Sequence, residues 1–183
     1  MDESDEQNAM LVLRCQLGDR AAWEELVRLW HPRLWRFVAG MLTDRASAED
    51  VLQDVWLRVV RSLVRLRDPG KLSAWLYGIA RAAIADRLRG QYRRPPADEV
   101  GEIPDSDGGL HDVDVADSLR AGLARLHPAD REVVVLYYLE ERSLDEVAEI
   151  SNIPPGTVKS RLHRARRVMR ETLENESDNH ETQ

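Results

Sequence analysis

"RSLDEVAEISNIPPGTVKSRLHRARRVMR", Arg142 to Arg170, decides the fold. Ser143 and Glu146 have the spacing of a capping box, which starts a helix. Leu144, Val147 and Ala148 then fall on its inward face. Asn152 tolerates the left-handed backbone that a tight turn needs, so the helix stops there and "IPPG" leads into another. A short helix with a small inward residue, Ala148, then a turn and a second helix, is helix–turn–helix spacing. On a wheel of about 100° per residue, Val158, Leu162, Ala165 and Met169 of the second helix point inward. Ser160, Arg164 and Arg167 point away, and Lys159, Arg161 and Arg166 flank them.

That second helix holds six Lys/Arg residues between Gly156 and Arg170, and the fourteen residues after Gly156 lack an acid. A merely solvated helix usually mixes its signs. Phosphates call for positive charge beside an inserted helix, and base edges call for long donors on its outer face. The pattern therefore points to DNA binding.

Upstream, "ADSLRAGLARL" sets Leu119, Leu123 and Leu126 on one stripe, and Pro128 suits the first turn of a helix reading "PADREVVVLYYLEE". Before these lies "RRPPADEVGEIPDSDGGLHDVD", with three prolines, three glycines and a string of acids. Such a composition buries too little apolar surface to offset its ordering entropy, so it reads as a flexible linker. The expected division is a helical domain at 1–94, a linker at 95–114, a helix–turn–helix domain at 115–174 and a disordered tail at 175–183. Periodicity is helical almost throughout, which makes the expected fold class all-α, with two small helical domains.

In the first domain, "SAEDVLQDVWLRVVRSL" has Ser47 as a cap and Asp50 in the place of the capping-box acid. Ala48, Val51, Leu52, Val55, Trp56, Val59 and Leu63 form its buried stripe. The opposite ridge carries Asp50, Gln53, Asp54, Leu57, Arg58 and Arg61. After a turn at Pro69 and Gly70, "LSAWLYGIARAAIADRLRGQYRR" places Leu72, Leu76, Ile79, Ala80 and Ala83 on one side. Arg81, Arg87, Arg89, Arg93 and Arg94 make it basic toward its end, which also complements the helix dipole. Trp75 and Tyr77 are either core aromatics or stacking partners for bases.

The formal net charge is -7. The first six residues, residues 95–117 and the stretch from 171 together hold -17 with no Lys or Arg, so the remainder carries +10. A basic body is thus hidden behind acidic connecting pieces. The single cysteine, Cys15, cannot form an internal disulfide and reads as a small core residue in "LVLRCQL". The five histidines have no metal-ligand spacing, so no metal or other cofactor is expected. No apolar run suits a membrane span, and the acidic N-terminus is unlike a secretory signal, which points to a cytoplasmic protein without membrane insertion.

Taken in order, "AEDVLQDVWLRVV", "SAWLYGIARAAIADRLR" and "SLDEVAEISNIPPGTVKSRLHRAR" resemble the bacterial sigma factors of the extracytoplasmic-function (ECF) group in the sigma-70 family. The resemblance covers nearly the whole chain. It implies a non-catalytic specificity subunit that binds core RNA polymerase, through the β′ coiled coil and the β flap, and directs initiation at promoter DNA. Asp50, Gln53, Asp54, Leu57 and Arg58 would dock on polymerase. The loop matching "VRLRDPG" and the helix after it would contact the -10 element, with Arg65, Arg67, Trp75, Tyr77, Arg81, Arg87 and Arg89 as candidates. The last helix would read the -35 element as duplex, through Thr157, Lys159, Ser160, Arg161, Arg164, Arg166 and Arg167.

Ala82 departs from the family's usual Asn, which bears on the -10 preference, and Asn152 stands where Gly is usual. An anti-sigma factor is a further partner that many relatives have. The linker is either a polyanion mimic in a polymerase channel or a soluble spacer. A stand-alone helix–turn–helix regulator would not need the second basic surface. A DNA-processing enzyme would need a nucleophile or a carboxylate cluster, and the acids of the body are dispersed.

Overall fold

The computed structural model describes residues 3–42, 44–93 and 119–180; the expected linker at 95–114 lies outside them. Four helices form the N-terminal half: α1 (Glu3–Gln16), α2 (Arg20–Met41), α3 (Arg45–Ser62) and α4 (Leu72–Arg93). The C-terminal half has α5 (119–125), α6 (Pro128–Val134), a π-helical turn (Val135–Leu139), α7 (Leu144–Ser151) and α8 (Pro155–His180). Among the described residues there is no strand.

The N-terminal core is laid down by α2, which buries Leu26, Trp30, Leu34, Phe37 and Val38. The predicted stripe of α3 packs against it, with Val51, Leu52, Val55 and Val59 buried and Trp56 half-buried. Leu72, Leu76, Ala80 and Ile84 of α4 and Leu11, Val12 and Cys15 of α1 complete it. Cys15 is core, as expected, and burial pushes its thiol pKa up. Gln16 donates from Nε2 to the carbonyls of Leu63 and Leu66, both at 3.0 Å, and so pins the start of the loop between α3 and α4.

Two local expectations are corrected. Ser47 does not cap α3. Asp44 does, accepting from the Ala46 and Ser47 N–H groups at 3.2 and 2.9 Å, while Ser47 is buried inside the first turn. Asp44→Ala should cost about 1 kcal/mol, read as a lower urea midpoint at unchanged slope. The stretch "PADREVVVLYYLEE" is not one regular α-helix. Val133, Val134, Val135 and Leu136 are all buried, and four consecutive residues exceed what one stripe of an α-helix can bury. The chain widens into the π turn, closed by Glu140 N–H to the Val135 carbonyl at 3.0 Å. Glu141 then ends it with φ of 53°. At the other end α8 runs to His180, past the boundary expected at 174.

The two halves share an interface. The π turn and α6 rest on α2, and α7 rests on α4.

Candidate nucleic-acid interface

The helix–turn–helix forms as its residues predict. Ser143 and Glu146 make both bonds of the capping box, at 3.2 and 2.8 Å, and Asn152 adopts φ 53°, ψ 49°. The reversed chain returns the Ile153 N–H to the Ala148 carbonyl at 3.1 Å and starts α8 at Pro155. Val158, Leu162 and Ala165 are buried, and Met169 is half-buried over Gly122. Lys159, Ser160, Arg164, Arg166 and Arg167 are exposed, and Thr157 and Arg161 are half-buried.

These side chains are not equivalent. Arg164 sets its fork on both carboxylate oxygens of Asp130, with Nε 2.6 Å from Oδ2. Asp130 is buried on α6, and the Arg164 hydrogen bonds hold its carboxyl below the usual range against the opposing effect of desolvation. Arg164, expected to face bases, is therefore committed to its own domain. Arg161 leans the same way, toward the Ala129 carbonyl at 3.4 Å. Arg166 donates to Tyr138 Oη at 2.6 Å and lies over that ring at 5.7 Å. The most outward arc of α8 is left to Ser160, His163 and Arg167, with Lys159 beside it. His163 was not among the residues expected there, although its position three after Ser160 and four before Arg167 marks it for the same arc.

The second basic surface is smaller than its arginines suggest. Arg65 and Arg67 are exposed in the pinned loop, and Trp75 is half-buried one turn into α4. Tyr77 is 0% exposed and bonded to Glu140 of the C-terminal half, which corrects the expectation that it could meet a base in this arrangement. Arg81 also faces that half, on Glu132 and the Ile150 carbonyl. Arg87 ties α4 to α3 by donating to Ser47 Oγ at 2.6 Å, and Arg89 pairs with Asp86. Ala82 is exposed.

On α3, Asp50, Gln53 and Leu57 are exposed, Leu57 by 54%. Asp54 pairs with Arg58 at 2.6 Å, and Arg58 also reaches Asp86 of α4 at 2.9 Å. Val60 and Val64 extend this face as exposed apolar residues, which the reading of the ridge missed. Their steps of three and seven from Leu57 were the available signal.

Comparison with known proteins settles the family. The sigma-70 region 2 model matches residues 26–94, and the sigma-70 region 4 model matches 116–169. The chain is 34% identical over 163 residues to the RNA polymerase sigma factor CarQ of Myxococcus xanthus, covering 85% of this chain and 91% of that protein. It is 33% identical over 183 residues to the ECF RNA polymerase sigma factor SigE of Mycolicibacterium smegmatis, covering 94% and 70%.

The chain belongs to the ECF sigma factors of the sigma-70 family.

Like other sigma factors of this type, it directs transcription. Its fold matches CnrH, solved in complex with the cytosolic domain of CnrY, at TM-score 0.73 and 22% identity, covering 92% of this sigma factor and 97% of CnrH. It also matches the sigma factor RpoE of Bartonella quintana, solved with the anti-sigma factor NepR. That match has TM-score 0.70 and 26% identity and covers 83% and 96%. Among the described residues no helix of this sigma factor is long and apolar enough to cross a membrane.

Proposed function

We propose that this sigma factor is a non-catalytic specificity subunit that docks on core RNA polymerase in the cytoplasm and selects promoters by their -10 and -35 elements. Residues 1–94 dock and engage the -10 element, 115–174 bind the -35 element, and 95–114 connect them. The observation that carries this reading is α8, whose inner row is core while Lys159, Ser160, His163 and Arg167 project from a helix–turn–helix. Such a helix fits a major groove about 12 Å wide. The face of Asp50, Gln53, Leu57, Val60 and Val64 supplies the polymerase contact, an apolar centre with a polar rim. The sigma factor RpoE of Bartonella quintana was solved with a partner named as an anti-sigma factor, and we extend that class of partner to this chain.

Two grips on one enzyme need not be tight singly, because tethering raises the effective concentration of each. Run-off transcription with core polymerase, on DNA from upstream of the protein's own gene, tests the reading. It predicts a defined start site that depends on the added chain; equal transcripts with and without it would refute the reading. In the same assay Leu57→Asp should weaken core binding by about tenfold, since an exposed anchor is charged without disturbing the core. An unchanged titration of core by that variant would remove α3 as the docking face.

A further inference from the structure

We infer that Tyr138, turned outward by the π turn, and Arg166 of α8 together form a phosphate-binding site on one flank of the recognition helix, which makes the π turn part of the DNA interface. The inference rests on the proposed reading of α8 as the helix that meets duplex DNA. It adds to that reading a residue from outside the helix–turn–helix.

The cations of α8 divide between two flanks. Arg161 and Arg164 lie on the side of α6, where the Ala129 carbonyl and the Asp130 carboxylate already hold them. Lys159 and Arg166 lie on one ridge, two helical turns or about 10.5 Å apart. That ridge borders the outer arc of Ser160, His163 and Arg167 on its other side. Phosphates beside an inserted helix therefore meet Lys159 and Arg166 first.

Arg166 is held without being neutralised. Arg164 sits on Asp130, and Arg167 has Glu171 at 3.9 Å. Among the described residues the polar partner of Arg166 is Tyr138, whose Oη accepts from Nε at 2.6 Å while the guanidinium lies over the ring at 5.7 Å. Only Nε is spent, so the two Nη groups keep their hydrogens for another acceptor. The hydroxyl that accepts from Nε still has its own hydrogen to donate. The pair thus offers an uncompensated positive charge and two kinds of donor side by side. A phosphodiester, with one negative charge and two non-bridging oxygens, matches that set.

The π turn is what brings Tyr138 to this place. Val133 to Leu136 fill the core, and the wider turn then shifts the phase of the chain, leaving Tyr137 half-buried and Tyr138 47% exposed. Such turns recur at functional sites in helices. Tyr137 packs against the core and meets Tyr138 edge-on, with centroids 4.9 Å apart at 85°. The Tyr138 ring is therefore fixed by an aromatic edge and covered by a cation. Binding usually costs an arginine its rotamer freedom, and here the ring and hydroxyl have already restricted it. Seating α8 does not require the pair, because Val158, Leu162 and Ala165 are buried and Arg164 is bound to Asp130. A phosphate contact of this kind sets the register of the helix on the duplex and carries no base preference.

Promoter DNA with single methylphosphonates across the -35 region, each removing one phosphate charge, tests this with the full chain on core polymerase. For wild type, one such position beside the pair should weaken binding by about tenfold. Tyr138→Phe keeps the ring and removes the hydroxyl. It should weaken binding to unsubstituted promoters by about three- to tenfold, alike for all -35 sequences. In that variant and in Arg166→Ala, the same methylphosphonate should cost at most about twofold, because the contact is already lost. A phosphate beside Lys159 should keep its full effect in both variants. If no position loses its effect in Tyr138→Phe, Tyr138 is not part of a phosphate site and the inference is overturned. It is equally overturned if all positions lose their effect together, since α8 would then have been unseated as a whole. Insensitivity of the wild-type holoenzyme to every -35 phosphate would instead refute the proposed reading of α8, and the pair with it.

Discussion

Replacing Arg131 with alanine is expected to destabilise the folded chain by about 3 kcal/mol. This arginine lies in α6, the second helix of the C-terminal half, where a sequence reading would count it among surface cations. Its guanidinium instead bonds four main-chain carbonyls: Leu123 at 2.7 Å, Ala124 at 2.8 Å, Leu126 at 3.4 Å and Met41 at 2.9 Å. Three of these belong to the open end of α5 and the residue after it, where carbonyls lack helical partners and the dipole favours a cation. The fourth ends α2 and joins the two halves. Burial lowers the Arg131 pKa, though a guanidinium remains charged. Alanine would leave these carbonyls partly shielded and without their donor. Arg131→Lys should recover little, because one ammonium cannot reproduce the fork. Urea unfolding of the three proteins checks this; an alanine variant within about 0.5 kcal/mol of wild type would show that water replaces the arginine at no cost.

How much of this was legible in the sequence depended on the range of the interaction. The helix–turn–helix was readable because each signal is local: the capping box at Ser143 and Glu146, the left-handed Asn152, and the apolar row of α8. The stripe of α3 was readable for the same reason. Its start was not, because Asp44 and Ser47 are both good caps and the choice fell to the burial of Ser47 against Arg87, forty residues away. Tyr77 and Arg81 were misplaced for a related reason: their partners lie 63 and 69 residues onward, across the linker. Composition cannot distinguish an arginine held for DNA from one held for a distant carboxylate. The π turn left a trace in its four consecutive apolar residues, which only in retrospect demand more than one helical stripe.

The same distinction sets the second large expected effect. Arg164 and Arg167 are three residues apart on α8, and both look like base readers on a helical wheel. Arg164 is occupied by the buried Asp130, 34 residues earlier, with its side chain 55% exposed against 5% for the carboxylate. Arg167 has Glu171 of its own helix at 3.9 Å, an exposed pair that opens readily. Arg167 is therefore free to meet a base edge, and its loss should relax discrimination at one or two adjacent base pairs by about 1–3 kcal/mol, roughly 5- to 150-fold. Loss of Arg164 should instead weaken binding to every sequence alike, because it disturbs the seating of α8 on α6.

The most direct test of α8 as the reader of duplex DNA is selection from promoters randomised across the -35 region. Polymerase carrying wild-type, Arg167→Ala or Arg164→Ala sigma factor is compared at one fixed salt concentration. The predicted result is a loss of preference confined to one or two positions for Arg167→Ala and an unchanged profile at lower overall yield for Arg164→Ala. Identical base preferences for wild type and Arg167→Ala would contradict it.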